Sequence, residues 1–321
     1  TVSVVIPAYN AGRLIDAAIR SVLSQEWAPD EIIIVNDGST DRDYSELQRL
    51  HKSIRVVTQP NRGLPAAARN LGFSAATGDY IATLDADDVW LPGKLHAQML
   101  HLVQNPDIDA AFCKGLRWMQ DTPEATPPEV TSESSMAKAV HLHYADFLCS
   151  LAVAPSTMVI KKSAWKSIGG FNESVRYGED HDFYLRLSYG HRIDLLEFFG
   201  ALYRHHRRSM TAVIQERNHW ADVRENAVRT LGTTDMFGNR ADPEKIAKHS
   251  AFIHFQHGHT HFWVGSFRVA REQFLRVVKL TPGNYKGWAY LLLSSLPGLR
   301  SLTRLMRRPS PDEFDGSTRP M

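Results

Sequence analysis

The residues Asp85-Ala86-Asp87-Asp88 hold the densest potential chemistry in the chain. Carboxylates packed this tightly repel one another and are poor strand formers. Yet they directly follow Tyr80-Ile81-Ala82-Thr83-Leu84, an apolar run that reads as a buried strand. A divalent cation shared with a polyphosphate would turn the repulsion into attraction. Hard oxygen donors suit Mg2+ or Mn2+, which take one or two protein carboxylates and complete their shell with phosphate and water. The four residues also fit a solvated acidic turn in which Asp88 caps the next helix.

A second acidic group lies in Tyr177-Gly178-Glu179-Asp180-His181-Asp182, ahead of the amphipathic Phe183-Tyr184-Leu185-Arg186-Leu187. Acidic residues in a first helical turn suit the helix dipole, and one of them can also take a proton from a hydroxyl. Neighbours on a helix point about 100° apart, so Glu179 and Asp180 cannot face one substrate equally. Asp180 is the first candidate for a base and Glu179 the second. Asp182 is better suited to supporting the loop or the acceptor.

These groups must be positioned by the elements around them. Val2–Ile6, Ile32–Val35 and Ile54–Val57 are β-branched runs, and Asp79–Leu84 is a fourth strand. Helical spacing separates them: Leu14, Ala18, Ser21 and Val22, then Tyr44, Leu47 and Leu50, then Leu64 to Ala76 with a stop at Gly78. The repeat predicts an α/β fold, a mostly parallel sheet with helices on both faces. Ligands bind such sheets at the carboxyl ends of strands, where Asn10, Asp37 and Asp85 all fall. Polar residues dominate Gln120–Lys138, which reads as a loop. A helix over His141–Cys149 and a strand over Thr157–Ile160 follow. Beyond residue 215, helical periodicity covers Arg217–Leu231, Pro243–Trp263, Ser266–Leu280 and Asn284–Leu296. The expected division is a sheet domain over 1–215, a helical region over 216–308 and a disordered tail over 309–321.

Composition narrows the function. With a net charge of +2 over 321 residues, the chain lacks the bulk electrostatics of a nucleic-acid binder. Its two cysteines, Cys113 and Cys149, fit no metal or redox spacing and suit a reducing compartment, hence a cytoplasmic expectation. No run reaches the ~18 apolar residues of a membrane span. The stretch Trp288–Leu299, followed by Arg300, Arg304, Arg307 and Arg308, leaves room for a helix lying on a membrane surface, against the alternative of a packed terminal helix. His254, His257 and His261 share a helical face, but no carboxylate or cysteine joins them, and aromatic neighbours point to packing.

Taken in order, Val2-Ser3-Val4-Val5-Ile6-Pro7-Ala8-Tyr9-Asn10, Val35-Asn36-Asp37-Gly38-Ser39-Thr40-Asp41, Asn61-Arg62-Gly63 with Ala68-Arg69-Asn70, Asp85-Ala86-Asp87-Asp88, Gly169-Gly170-Phe171 and Gly178-Glu179-Asp180 resemble family 2 glycosyltransferases, inverting enzymes of the GT-A fold. The resemblance covers about residues 1–215. It implies a nucleoside-diphosphate sugar donor, a UDP-sugar first of all, with Pro7, Tyr9, Asn10, Asp37, Arg69, Asp85 and Ala86 on the donor. Asp87 would be a ligand of Mn2+ or Mg2+, and Asp180 the base.

Each residue also has its own chemistry. Pro7 should end the first strand, and Tyr9 offers a face for a nucleobase. Asp37 can accept the imide N–H of uracil or cap an Asx turn. Arg69 can neutralise a phosphate, orient a sugar hydroxyl or form a surface ion pair. Tyr203-Arg204-His205-His206-Arg207-Arg208-Ser209-Met210-Thr211 resembles another family segment. It suggests His206 as a metal or diphosphate ligand, with Arg204 and Ser209 on phosphate oxygens; a general anion-binding patch is the alternative.

The resemblance thus implies single-sugar transfer in building a bacterial surface glycan. The acceptor would be a glycan or lipid-linked glycan, and the enzyme peripheral to the inner face of the cytoplasmic membrane. A non-catalytic scaffold with the same fold is one alternative. A sugar-phosphate nucleotidyltransferase is another, but it needs a glycine-rich loop where Pro7-Ala8-Tyr9-Asn10-Ala11-Gly12-Arg13 stands.

Overall fold

β-Branched runs alternate with helical stretches from the first residues, and the strands they form lie side by side. The computed structural model describes residues 1–120, 122, 125–130, 137–150, 153–206, 213–264, 266–296 and 318–320. In chain order the elements are β1 (Val2–Ala8), α1 (Leu14–Leu23), β2 (Glu31–Asn36), β3 (Ile54–Thr58), α2 (Pro65–Ala75), β4 (Tyr80–Thr83), β5 (Val89–Trp90), α3 (Lys94–Gln104), β6 (Ala110–Met119), β7 (Ala139–Leu142), α4 (Tyr144–Cys149), β8 (Met158–Lys161), α5 (Lys162–Ser167), α6 (Glu179–Gly190), β9 (Ile193–His205), α7 (His219–Leu231), α8 (Pro243–Val264), α9 (Phe267–Leu280), α10 (Tyr285–Leu293) and β10 (Thr318–Pro320).

The sheet runs β3-β2-β1-β4-β8-β6-β9-β5, with β7 paired to β9 and β10 to β6. Strands β1 to β4 are mutually parallel, and β6 runs parallel to β9; β8, β5, β7 and β10 are antiparallel to their neighbours. This is the expected mostly parallel α/β sheet.

Alternation along β1 explains its two covered faces. Val2, Val4, Ile6 and Ala8 join one buried cluster with Ile15, Ala18, Ile19 and Val22 of α1. Val5 faces the other way, against α2, where a Cβ on Gly72 would run into Val5 and Val35. Only glycine lets that helix approach the strands so closely.

Several expectations are corrected. Pro7 does not end β1; it pairs with Val35 inside the strand. Its missing N–H is tolerated because β4 stops at Thr83, opposite Val5, so that β1 is beyond the reach of that partner there. Residues Tyr44–Arg49 form a 3-10 turn instead of an α-helix, opened by Asp43, which accepts from the Ser45 N–H. His141 lies in β7, paired with Asp194, and the helix expected from it starts at Tyr144.

Packing divides the chain into two compact units, residues 1–143, 152–206 and 314–321 in one, 144–151 and 207–313 in the other. The second is helical. Within it Asn218 caps α7, and the histidines of α8 are spent on packing bonds. His254 Nδ1 meets Gln273 Oε1 at 2.8 Å, His257 Nε2 meets the Glu216 carbonyl at 3.1 Å, and His261 Nε2 meets the Gln215 carbonyl at 2.9 Å. Most of the 309–321 tail lies outside the described residues; Thr318–Pro320 pair antiparallel with Leu116–Trp118.

Candidate active site

The exits of β1 and β2 are bonded to each other. Asn10 has a left-handed backbone (φ 49°), its N–H donates to Ser39 Oγ at 3.0 Å, and its Oδ1 accepts from the Thr40 N–H at 2.8 Å. These bonds fasten the β1 exit to the Asp37-Gly38-Ser39-Thr40 turn, and the adjacent Tyr9 is 55% exposed. Asp37 is buried. Its N–H donates to the Ala8 carbonyl at 2.9 Å, and its Oδ1 accepts from Gln59 Nε2 at 2.6 Å. Gln59 follows β3, so the strand-exit argument that selects Asn10, Asp37 and Asp85 selects it too, once extended to the third strand.

The acidic turn has three different environments. Ala86 is in the apolar core with Ala82 and Leu84, so only its backbone can address a ligand. Asp88 is fully buried and is neither a helix cap nor a surface group. It accepts from the Ser156 hydroxyl and from the Arg204 backbone N–H at 2.9 Å. Burial, and secondarily the charges of Asp87 and Asp85, push its pKa well above the usual carboxylate range. Ser156 Oγ also accepts from the Asp85 N–H at 3.0 Å, so one hydroxyl sets both ends of the turn.

Asp87 is partly exposed, and its Oδ2 lies 3.1 Å from His206 Nε2. Two ligands of one octahedral ion with bonds of ~2.1 Å sit about 3 Å apart when adjacent, so this pair fits as part of a Mg2+ or Mn2+ shell. Among the described residues no group of three or more His, Cys, Asp or Glu side chains is arranged to hold a metal. The remaining positions would fall to phosphate and water. Arg204 does not present its guanidinium outward: Nε donates to the Asp87 carbonyl at 3.0 Å, Nη1 to the Thr122 carbonyl at 3.2 Å, and the group lies 4.0 Å over the Trp118 ring. It holds the turn rather than reaching for a phosphate. Ser209 lies outside the described residues.

The acidic turn connects to α6 through Arg69. This arginine, on α2, is buried; Nη2 donates to Asp85 Oδ1 at 2.8 Å and Nη1 to Glu179 Oε1 at 2.6 Å. Both terminal nitrogens are committed to carboxylates, which removes the surface-pair reading and ties Glu179 to a structural partner. Gly178 has φ 77°, a left-handed turn that starts α6 and places Glu179 and Asp180 side by side.

Asp180 is the acid left at this junction. One oxygen accepts from the His181 N–H at 2.7 Å, and no other hydrogen bond to its carboxylate occurs among the described residues. Burial chiefly, then Glu179, raises its pKa to about 7, against the opposing pull of Arg69. A carboxylate poised near neutrality is what a general base needs. Asp182 pairs with Arg186 at 2.8 Å, and Arg186 also donates to the Ile168 carbonyl, so this acid braces the preceding loop. Asn70 pins the same loop, donating to the Phe171 carbonyl and accepting from the Phe171 N–H, both at 2.9 Å.

A mostly parallel sheet with an acidic turn at one strand exit and a helix-borne carboxylate joined to it defines the GT-A class of fold. The Glycosyl transferase family 2 model matches residues 3–166, just over half of the sequence. The chain belongs to glycosyl transferase family 2. An uncharacterised glycosyltransferase of Nostoc sp. is 42% identical over 111 residues, 33% of this chain and 34% of that protein. Chondroitin synthase of Pasteurella multocida is 28% identical over 204 residues, 58% of this chain and 19% of that protein. The aligned regions thus span only a minor part of these relatives' lengths. Among solved structures, S. aureus TarS 1-349 in complex with UDP-GlcNAc superposes with a TM-score of 0.65 at 16% identity, covering 99% of this chain and 95% of that one. A mannosyltransferase of Pyrobaculum calidifontis in complex with GDP-Man and Mn2+ does so with a TM-score of 0.57 at 19% identity, covering 95% and 83%. At these identities the likeness establishes the fold.

Proposed function

We propose that the protein is an inverting glycosyltransferase that moves one sugar from a nucleoside-diphosphate sugar, a UDP-sugar in the first instance, to an acceptor hydroxyl. The observation that carries this reading is the Asp85–Arg69–Glu179 chain of ion pairs, which leaves Asp180 as the titratable acid beside the donor turn. Neighbours bound to UDP-GlcNAc and GDP-Man support a nucleotide-sugar donor.

In this mechanism Tyr9 stacks on the base, and Asp37, oriented by Gln59, accepts an imide N–H. Asp85, fixed by Arg69 and Ser156, would orient the ribose or assist in holding the metal. Asp87 and His206 would hold Mn2+ or Mg2+. When bound, the metal neutralises charge on the departing diphosphate. Asp180 takes the acceptor proton as that oxygen bonds to the anomeric carbon and the bond to the diphosphate breaks, in one in-line displacement that inverts the anomer. Glu179, neutralised by Arg69, does not compete for the proton.

The reading extends to surface-glycan synthesis at the inner face of the cytoplasmic membrane, on a glycan or lipid-linked glycan acceptor. No described helix is long and apolar enough to cross a membrane. Thermal-shift measurements with a panel of nucleotide sugars, with and without Mn2+, test the donor. UDP-sugars should stabilise the protein most, and more so with metal. Stabilisation by adenosine or cytidine donors instead would overturn the Asp37 assignment, since adenine N1 and cytosine N3 carry no hydrogen and would turn a lone pair toward the carboxylate.

A further inference from the structure

The last described helix is apolar on two opposite faces, and only one of them is packed. Gly287, Tyr290, Leu291 and Ser294 face the second unit's core: a Cβ on Gly287 would stand 2.8 Å from Val277 Cγ1 on α9, and Tyr290 stacks on Phe274 with ring centroids 5.2 Å apart. On the opposite side Tyr285 is 73% exposed, Trp288 47%, Leu292 66% and Leu296 53%. At 100° per residue Tyr285, Trp288 and Leu292 fall within one narrow arc of the helix, and Leu296 follows just past its end. Trp288 spends its only donor on the Pro282 carbonyl at 2.9 Å, so the exposed part of its ring is apolar.

The charge pattern says what such a face meets. From residue 273 to residue 311 the sequence holds Arg276, Lys279, Lys286, Arg300, Arg304, Arg307 and Arg308, and no Asp or Glu. An apolar stripe with exposed Trp and Tyr, in a stretch of wholly basic charge, matches an interface of hydrocarbon and anionic headgroups. A protein partner or a second copy would be expected to answer seven cations with acidic residues, and this stretch offers none to a copy of itself.

We infer that the Tyr285, Trp288 and Leu292 face of α10, with Leu296 just beyond the helix end, seats the protein on an anionic lipid bilayer. This deepens the membrane placement proposed above, yet it rests on the helical unit alone and does not require the donor chemistry to be right. Basic residues drawn to anionic headgroups and apolar side chains buried below them act together, which suits reversible attachment.

The full chain is sedimented with phosphatidylcholine vesicles, with and without phosphatidylglycerol, as wild type and as Tyr285→Glu/Leu292→Glu, the two most exposed residues of the face. Hydrolysis of UDP-sugar is measured on the same samples without vesicles, which judges the enzymatic reading separately. Wild type should bind the phosphatidylglycerol vesicles and lose most of that binding in about 1 M salt. The double variant should bind roughly a hundredfold more weakly, with its melting temperature and hydrolysis unchanged. Equal binding by both proteins, or no binding by wild type, overturns the inference. So does concentration-dependent self-association that the double variant abolishes, or a melting temperature that the double variant lowers, since these would show that the face is covered by a second copy or by the chain itself.

Discussion

Arg69 donates to Glu179 at 2.6 Å, joining residues 110 positions apart in sequence. With its other arm on Asp85, it ties the Asp85–Asp88 turn to the first turn of α6, and in the proposed mechanism it decides which of two adjacent acids acts as the base. Arg69→Met should therefore cost about 3–5 kcal/mol of stability, because it leaves two carboxylates facing each other in a buried site. Thermal or urea unfolding measures this. In the protein that remains folded, kcat should fall more than donor KM rises; an effect on KM alone would mean that Arg69 binds the donor directly.

The raised pKa of Asp180 has a consequence for stability. A carboxyl whose folded-state pKa lies above its unfolded value stabilises the fold at low pH, and that contribution is lost as pH rises toward and through about 7. Asp180→Asn should therefore raise the melting temperature at pH 8 and leave it nearly unchanged near pH 4. Scanning calorimetry at the two pH values distinguishes this from a uniform effect.

Ser156 orients both Asp85 and Asp88 through one hydroxyl. Ser156→Ala strands the Asp85 N–H and one Asp88 oxygen, at a cost of about 2–3 kcal/mol. Denaturant titration should show the loss, together with weaker donor binding by calorimetry.

Gln59→Leu removes the hydrogen bond that orients Asp37. Donor KM should rise roughly tenfold with kcat nearly constant, because the base is far from the reacting carbon. Steady-state kinetics with a UDP-sugar checks the split.

Much of this was legible in the sequence because the signals are local. The runs that became β1 to β4 are short, β-branched and punctuated by turn residues, and strand exits mark where ligands can bind. The acids at 85 to 88 and 179 to 182 were visible as clusters. Their division of labour was not. That Asp88 is buried, that Glu179 is neutralised and that Arg204 turns onto the Asp87 carbonyl all depend on contacts between residues 110 to 117 positions apart, which no spacing encodes. Strands β6 and β9, which pair along most of their length, escaped for a related reason. Ala110–Met119 and Ile193–His205 interrupt their apolar alternation with Lys114, Gly115, Glu197 and Gly200, and the pairing itself shifts register near Lys114. Pro7 was misread because a proline in a strand ordinarily marks its end, and the sequence does not reveal that β4 stops short of it.

The pH dependence of metal-supported UDP-sugar turnover, compared between wild type and Asp180→Asn, tests the assignment of the base most directly. Wild-type turnover should rise as pH climbs through about 7, following ionisation of this carboxyl. The variant should be at least about a hundredfold slower, with that limb of the profile gone. Undiminished turnover with an unaltered profile in Asp180→Asn, beside an inactive Glu179→Gln, would contradict the account and move the proton to the other acid.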